Sequence, residues 1–175
     1  MKHFGLVAIT ILAVTGCKRG ARWKEHKITT VEVGSFAAPI PEGWRDFREF
    51  FETVAIPAGA RAVMPEESEA SLGFQANIIV MWLPVDATWA QPCVQLADVS
   101  SKAQGATRTG EAPESKIGDD RVCMWTSTNP KAANTTRIRY HGDHVLFVQC
   151  LRAVAGDAVG DAGCTAFWGS LIAKP

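Results

Sequence analysis

Phe74-Gln75-Ala76-Asn77-Ile78-Ile79-Val80-Met81-Trp82-Leu83 is apolar on both of its alternations, with Phe74, Ala76, Ile78, Val80 and Trp82 on one side and Ile79, Met81 and Leu83 on the other. A strand buried on both faces lies inside a sheet, with further layers above and below it. The expected fold class is therefore α+β: a central, mainly antiparallel β-sheet with helices on both faces, and 74–83 as an internal strand. Val145 to Leu151 is a second apolar, β-branched run, and Val122 to Ser127 alternates as a third strand. Gly118-Asp119-Asp120 and His141-Gly142-Asp143-His144 read as hairpin turns.

Two helices are expected around this sheet. From Asp161, a plausible N-cap, apolar residues fall at Cys164, Phe167, Trp168, Leu171 and Ile172, the spacing of one helical face. Thr88-x-x-Gln91 matches a capping box, with Pro92 tolerated early in a helix and Trp89, Cys93, Leu96, Ala97 and Ser100 on one face. A short helix is also expected over 44–55, from Trp44, Phe47, Phe51, Val54 and Ala55, after the turn Pro41-Glu42-Gly43. Residues 103–115 read as a polar connector. Trp44, Trp82, Trp89 and Trp168 fall on buried faces, so none argues for a sugar platform.

The N-terminus sets the compartment. Lys2 and His3 precede an apolar run, Phe4 to Thr15, and Val14-Thr15-Gly16-Cys17 reads as a lipobox. Those 12 apolar residues reach about 18 Å as a helix, short of a ~30 Å hydrocarbon core. An ordinary secretory signal is the rival reading. A small residue directly before a lone Cys, with Val14 three positions before it, favours acylation of Cys17, with palmitate as an expected chain. The expected organisation is a signal peptide over 1–16, a lipidated Cys with tether and first strand over 17–34, and one domain over 35–175. Lys18 leaves the inner-membrane retention signal of enteric bacteria unmet, which points to the outer membrane, facing the periplasm.

Removing 16 residues from 175 leaves 159, one domain's worth, with 17 basic against 18 acidic residues once Lys2 is gone. Near-neutral charge argues against a nucleic-acid partner. Lys18, Arg19, Arg22 and Lys24 cluster around Trp23 beside the anchor, as a headgroup-attracting patch or, more simply, a solvated tether.

Without Cys17, Cys93, Cys123, Cys150 and Cys164 remain. Four cysteines in an oxidising compartment imply two disulfides with three possible connectivities. Cys164 points from a helix toward a sheet whose preceding strand ends with Cys150, and Cys93 sits on a helix face above the strand carrying Cys123. The pairing expected is Cys150–Cys164 and Cys93–Cys123. A Cys93–Cys164 bridge would need both helices on one face, since each layer adds about 10 Å.

The order of an extended segment closing on Pro41-Glu42-Gly43-Trp44, an apolar strand around Ala76-Asn77-Ile78-Ile79-Val80, a helix, hairpins, and a last strand leading into a helix with Phe167 and Ser170 resembles the PsbP-like α/β/α sandwich over about 35–172. That fold is known from a photosystem lumenal subunit, a nuclear-transport cofactor and many bacterial lipoproteins. The resemblance implies binding or stabilisation of other proteins rather than catalysis, and carries over no catalytic residues. The four-cysteine framework departs from the general pattern of the fold.

Candidate sites are few. Arg137, Arg139 and His141 share one strand face and could grip an acidic partner or a phosphate; a solvated face is the plainer reading. If Gly142-Asp143 is the whole turn, these side chains share the side of Leu146, Val148 and Cys150, which the C-terminal helix should cover. His141 and His144, with Asp143, could form a weak metal site, but an ordinary type II′ turn accounts for them and no metal is expected. Gly-x-Ser-x-Gly, His-Glu-x-x-His and Gly-rich phosphate loops are absent from the sequence. The sequence thus points to a lipid-anchored envelope protein acting as a non-catalytic accessory module with a protein partner and no cofactor. The alternative is a small-molecule or metal-binding lipoprotein, or a hydrolase with a site assembled from distant residues.

Overall fold

The computed structural model describes residues 29–47, 59–66, 76–154 and 156–174. The lipobox, Cys17, the basic cluster 18–24, residues 48–55 of the expected short helix, and Phe74 and Gln75 lie outside the described residues. No helix among the described residues is long and apolar enough to cross a membrane.

Strands β1 (Thr30–Val33) and β2 (Phe36–Pro39) form a hairpin, followed by β3 (Trp44–Asp46), β4 (Arg61–Pro65) and β5 (Asn77–Pro84). Helix α1 (Cys93–Ala103) leads to β6 (Thr107–Thr109), β7 (Glu114–Ile117), β8 (Asp120–Thr128), β9 (Ala132–His141) and β10 (His144–Ala153). Helix α2 (Ala158–Gly169) and β11 (Ile172–Ala173) close the described chain. The large sheet runs β3-β4-β5-β10-β9-β8-β6, with β7 also on β8, and the small sheet runs β1-β2-β11. Every pairing between these strands is antiparallel. The fold is α+β with a large antiparallel sheet, and β5 is internal between β4 and β10.

The alternation of β5 divides the core. Ile78 and Val80 join Leu146, Val148 and Cys150 in a cluster with Val31, Val33 and Phe36 of the β1–β2 hairpin and Phe167 of α2. Ile79 and Met81 join Val145, Phe147, Ile138 and Trp125 in a second cluster with Cys93, Leu96 and Ala97 of α1. Two disulfides staple helix to strand: Cys93–Cys123 joins α1 to β8, and Cys150–Cys164 joins β10 to α2, with Cα separations of 5.4 and 5.9 Å. The pairing is the one the sequence predicts. Each closure, spanning 30 and 14 residues, removes about 3–4 kcal/mol of chain entropy from the unfolded state.

Several element boundaries differ from expectation. The capping box at Thr88 does not form. Gln91 precedes a proline and is steered out of the helical region, so α1 begins after Pro92. Asp86 instead accepts from the Thr88 and Trp89 amides at 2.8 and 3.3 Å in a separate turn. Helix α2 starts a turn earlier than expected: Asp157, not Asp161, is the N-cap, accepting from the Gly160 amide at 2.7 Å and from the Ala153 amide at 3.3 Å. Helix α2 ends at Gly169, so Ile172 is not on its face; the tail pairs with the edge of β2. Trp44–Asp46 is a strand rather than the start of a helix, because Trp44 pairs with Pro65 and is buried against α2. Residues 103–115 hold β6 and the start of β7 rather than a plain connector.

Candidate functional site

The site grows from the β9–β10 hairpin. Gly142 has φ +60°, while Asp143 keeps a negative φ, as the type II′ turn of the sequence reading requires. The turn fixes the register: His141 faces His144, Arg139 faces Leu146 and Arg137 faces Val148. The arginines therefore do share the side of Leu146, Val148 and Cys150, the side on which α2 packs. They fit there because each guanidinium covers an aromatic ring, that of Arg137 4.7 Å from the ring centre of Trp168 in α2 and that of Arg139 4.9 Å from the ring centre of Phe36 in β2.

Pairing then splits the stripe. Arg139 Nε donates to Asp120 Oδ2 at 2.6 Å, and both side chains are about 15% exposed (15% and 14%). His141 Nδ1 lies 3.1 Å from both Asp120 oxygens, and its ring meets Phe36 edge-on at 5.3 Å. Asp120 follows the Gly118-Asp119 turn at the start of β8, so one carboxylate closes off two of the three candidate residues. His144 stacks flat on Trp82 at 4.9 Å, with Nδ1 2.6 Å from Asp143 Oδ1. That contact holds the Asp143 carboxyl below the usual carboxylate range, the His144 hydrogen bond being the main cause. In both His141 and His144 the Nδ1 is thus engaged by a carboxylate. Among the described residues, the three potential metal ligands that do converge are Cys93, Glu114 and Cys123. Two of these are the disulfide, so neither offers a thiolate.

Arg137 is different. Its guanidinium has no hydrogen bond or ion pair among the described residues, and it lines a cleft of ≈160 Å³ between β9, β10 and α2. The other lining residues are Thr135, Val148, Cys150, Arg152, Asp161, Cys164, Thr165 and Trp168. Burial lowers the Arg137 pKa from its usual value, though a guanidinium stays charged at neutral pH. Arg152 binds Asp161 through Nε at 2.6 Å and donates from Nη1 to Thr135 Oγ1 at 2.9 Å. The three charges in the cleft leave one net positive charge. Past Arg137 the sheet continues with half-buried Met124 and Thr126 on β8 and exposed Thr109 on β6, whose hydroxyls meet at 2.9 Å.

The structure therefore separates Arg137 from Arg139 and His141, and groups it with residues that the sequence reading did not select: Thr135, Arg152, Asp161, Thr165 and Trp168. One signal for them was present. The Gly142-Asp143 register placed Arg137 beside the helix carrying Cys164, and Trp168 lies one turn beyond that cysteine.

No family model and no curated protein matches the sequence. Among solved structures, the chain is similar to cyanobacterial PsbP (CyanoP) from Synechocystis sp. PCC 6803, with a TM-score of 0.59 and 10% identity over 87% of this chain and 98% of that one. It is also similar to LpqN of Mycobacterium tuberculosis, described as involved in cell envelope biogenesis, with a TM-score of 0.51 and 13% identity over 80% of this chain and 83% of that one. At such identities the likeness bears on the fold alone. The antiparallel sheet, the two helices and this likeness together show that the chain has a PsbP-like fold.

Proposed function

We propose that this protein is a lipid-anchored module of the bacterial cell envelope that binds a protein partner and catalyses nothing itself. Residues 1–16 are removed as a signal peptide, Cys17 carries the acyl chains, and 17–34 tethers and begins the domain over 35–175. The destination is the outer membrane, facing the periplasm. The lipobox and the two disulfides support the exported, anchored part of this reading. LpqN, which shares the fold, comes from an envelope context.

The observation that carries the binding role is Arg137. It stands without a counter-ion in an open cleft, while Arg139 and His141 beside it are both engaged by Asp120. The ≈160 Å³ cleft is smaller than the ~300–1,000 Å³ typical of small-molecule sites, which favours one functional group of a larger partner over a whole small ligand.

Two measurements test the proposal. Mass spectrometry of the N-terminal peptide should find an acylated Cys17 and no residue before it; a free Cys17 or an intact leader overturns the anchor. A photo-crosslinking residue at exposed Thr165, in the full chain in its native membrane, should give a discrete adduct that the same residue at exposed Val99 does not give. Equal, diffuse labelling at both positions overturns the binding role.

A further inference from the structure

We infer that the Arg137 cleft recognises the side-chain carboxylate of an aspartate or glutamate on the partner, an assignment that rests on the binding-module reading above. Among the described residues Arg108, Arg121, Arg139 and Arg152 each already hold a carboxylate of this chain. Arg137 lies on the same strand face as Arg139, two residues away, and holds none. Its guanidinium carbon sits over the Trp168 ring, 4.7 Å from the ring centre, so part of its rotamer freedom is already lost before a ligand arrives. With its donors unused by any hydrogen bond or ion pair among the described residues, the guanidinium can meet a carboxylate in the bidentate geometry.

The rest of the lining completes the acceptor's needs. Thr135 Oγ1 accepts from Arg152, which leaves the Thr135 hydroxyl hydrogen available to donate. Thr165 supplies a second hydroxyl from α2. Val148 and the Cys150–Cys164 bridge form an apolar wall suited to the methylenes of an acidic side chain, and their low polarity strengthens the ion pair.

Charge and backbone geometry narrow the ligand. Arg137 and Arg152 against Asp161 leave one net positive charge, which a carboxylate matches. A phosphate, at about −1.5 to −2, would meet the Asp161 carboxylate with charge to spare. A chain-terminal carboxylate is commonly captured by a nest of free backbone amides. Here the lining belongs to paired strands β9 and β10 and to α2, whose amides are used in the ladder and the helix.

The test uses the oxidised, acylated protein in detergent micelles, followed by amide and indole NMR at constant ionic strength. The probes are N-acetylglutamate α-amide, N-acetylglutamine with a free α-carboxylate, and inorganic phosphate. The α-amide should give saturable shifts at Thr135, Arg137, Thr165 and the Trp168 indole N–H, with affinity near the millimolar level of a single ion pair. The other two probes should bind at least tenfold more weakly. Arg137→Gln should lose the response tenfold or more, and Arg137→Lys should recover only part of it, because an ammonium lacks the fork. Thermal melts and the unperturbed spectra show whether both variants are folded.

Tighter saturation by phosphate or by the α-carboxylate overturns the ligand assignment. An unchanged response in a folded Arg137→Gln protein, or no saturable shift with any probe, overturns the site. If the Thr165 adduct survives Arg137→Gln, the carboxylate inference fails while the binding-module reading stands; if the α-amide binds but no adduct forms, the reverse holds.

Discussion

Gly163→Ala should destabilise the protein although it improves helix propensity. Gly163 is buried in α2, and a methyl group built there falls well inside van der Waals contact of the Trp44 indole. Trp44 itself is buried, fixed in β3 and paired with Pro65, so it has little room to retreat. Replacing Gly by Ala inside a helix gains about 1 kcal/mol. Forcing a methyl against a rigid ring in a packed core costs about 1–3 kcal/mol, and the depth of this overlap puts it at the top of that range. The net expectation is a loss of about 2 kcal/mol, seen as a fall of about 4–8 °C in Tm for a domain of this size. Gly169, the last residue of α2, has open space around its Cβ position. Gly169→Ala should therefore be neutral or gain a few tenths of a kcal/mol. Trp44→Ala alone should cost about 3–5 kcal/mol. Adding Gly163→Ala in that background should restore about 1 kcal/mol, a reversal of sign that reports direct contact. Urea denaturation of the four oxidised proteins measures the cycle. If Gly163→Ala stabilises the wild type as much as Gly169→Ala, or acts the same with and without Trp44, the packing argument fails.

Cys150→Ser and Cys164→Ser should each cost about 3 kcal/mol, and the double change should cost little more than either, because both break one bond; non-reducing peptide mapping should show no Cys93–Cys164 or Cys123–Cys164 peptide. Asp120→Asn should lower stability by about 2–3 kcal/mol by leaving the mostly buried Arg139 without its counter-ion, whereas Asp98→Asn, at an exposed carboxylate paired with half-buried Arg108, should cost under about 1 kcal/mol. The Asp143 carboxyl should titrate by NMR below the ordinary carboxylate range, and His144→Ala should move its midpoint back up. Because that pKa is depressed in the folded state, the stability it adds is present above the ordinary carboxylate pKa and is lost as pH falls through the folded value.

The sequence by itself determined what depends on local periodicity. Ile78 to Met81 is apolar on both alternations whatever surrounds it, so an internal strand follows from the chain alone. Gly142-Asp143 fixes the β9–β10 register, since a two-residue turn leaves one pairing. Register and helix face together were enough to bring Cys150 to Cys164 and Cys93 to Cys123. The tertiary structure decided whatever depends on partners brought in from elsewhere in the chain. Trp44 sits in a strand because Pro65 pairs with it and Gly163 makes room for its ring, and neither is near it in sequence. The polar end of α1 shows the same dependence: Gln104 Oε1 accepts from Asn134 Nδ2 at 2.7 Å and Gln149 Nε2 at 2.8 Å, two strands that periodicity does not link to that helix. The candidate site is the clearest case. Arg137, Arg139 and His141 are equivalent in pattern, and only the arrival of Asp120 at the start of β8 closes two of them and leaves Arg137 over Trp168. Periodicity records which face a side chain occupies; ion pairing depends on which carboxylate the fold places within about 3 Å, and that is set by long-range strand order.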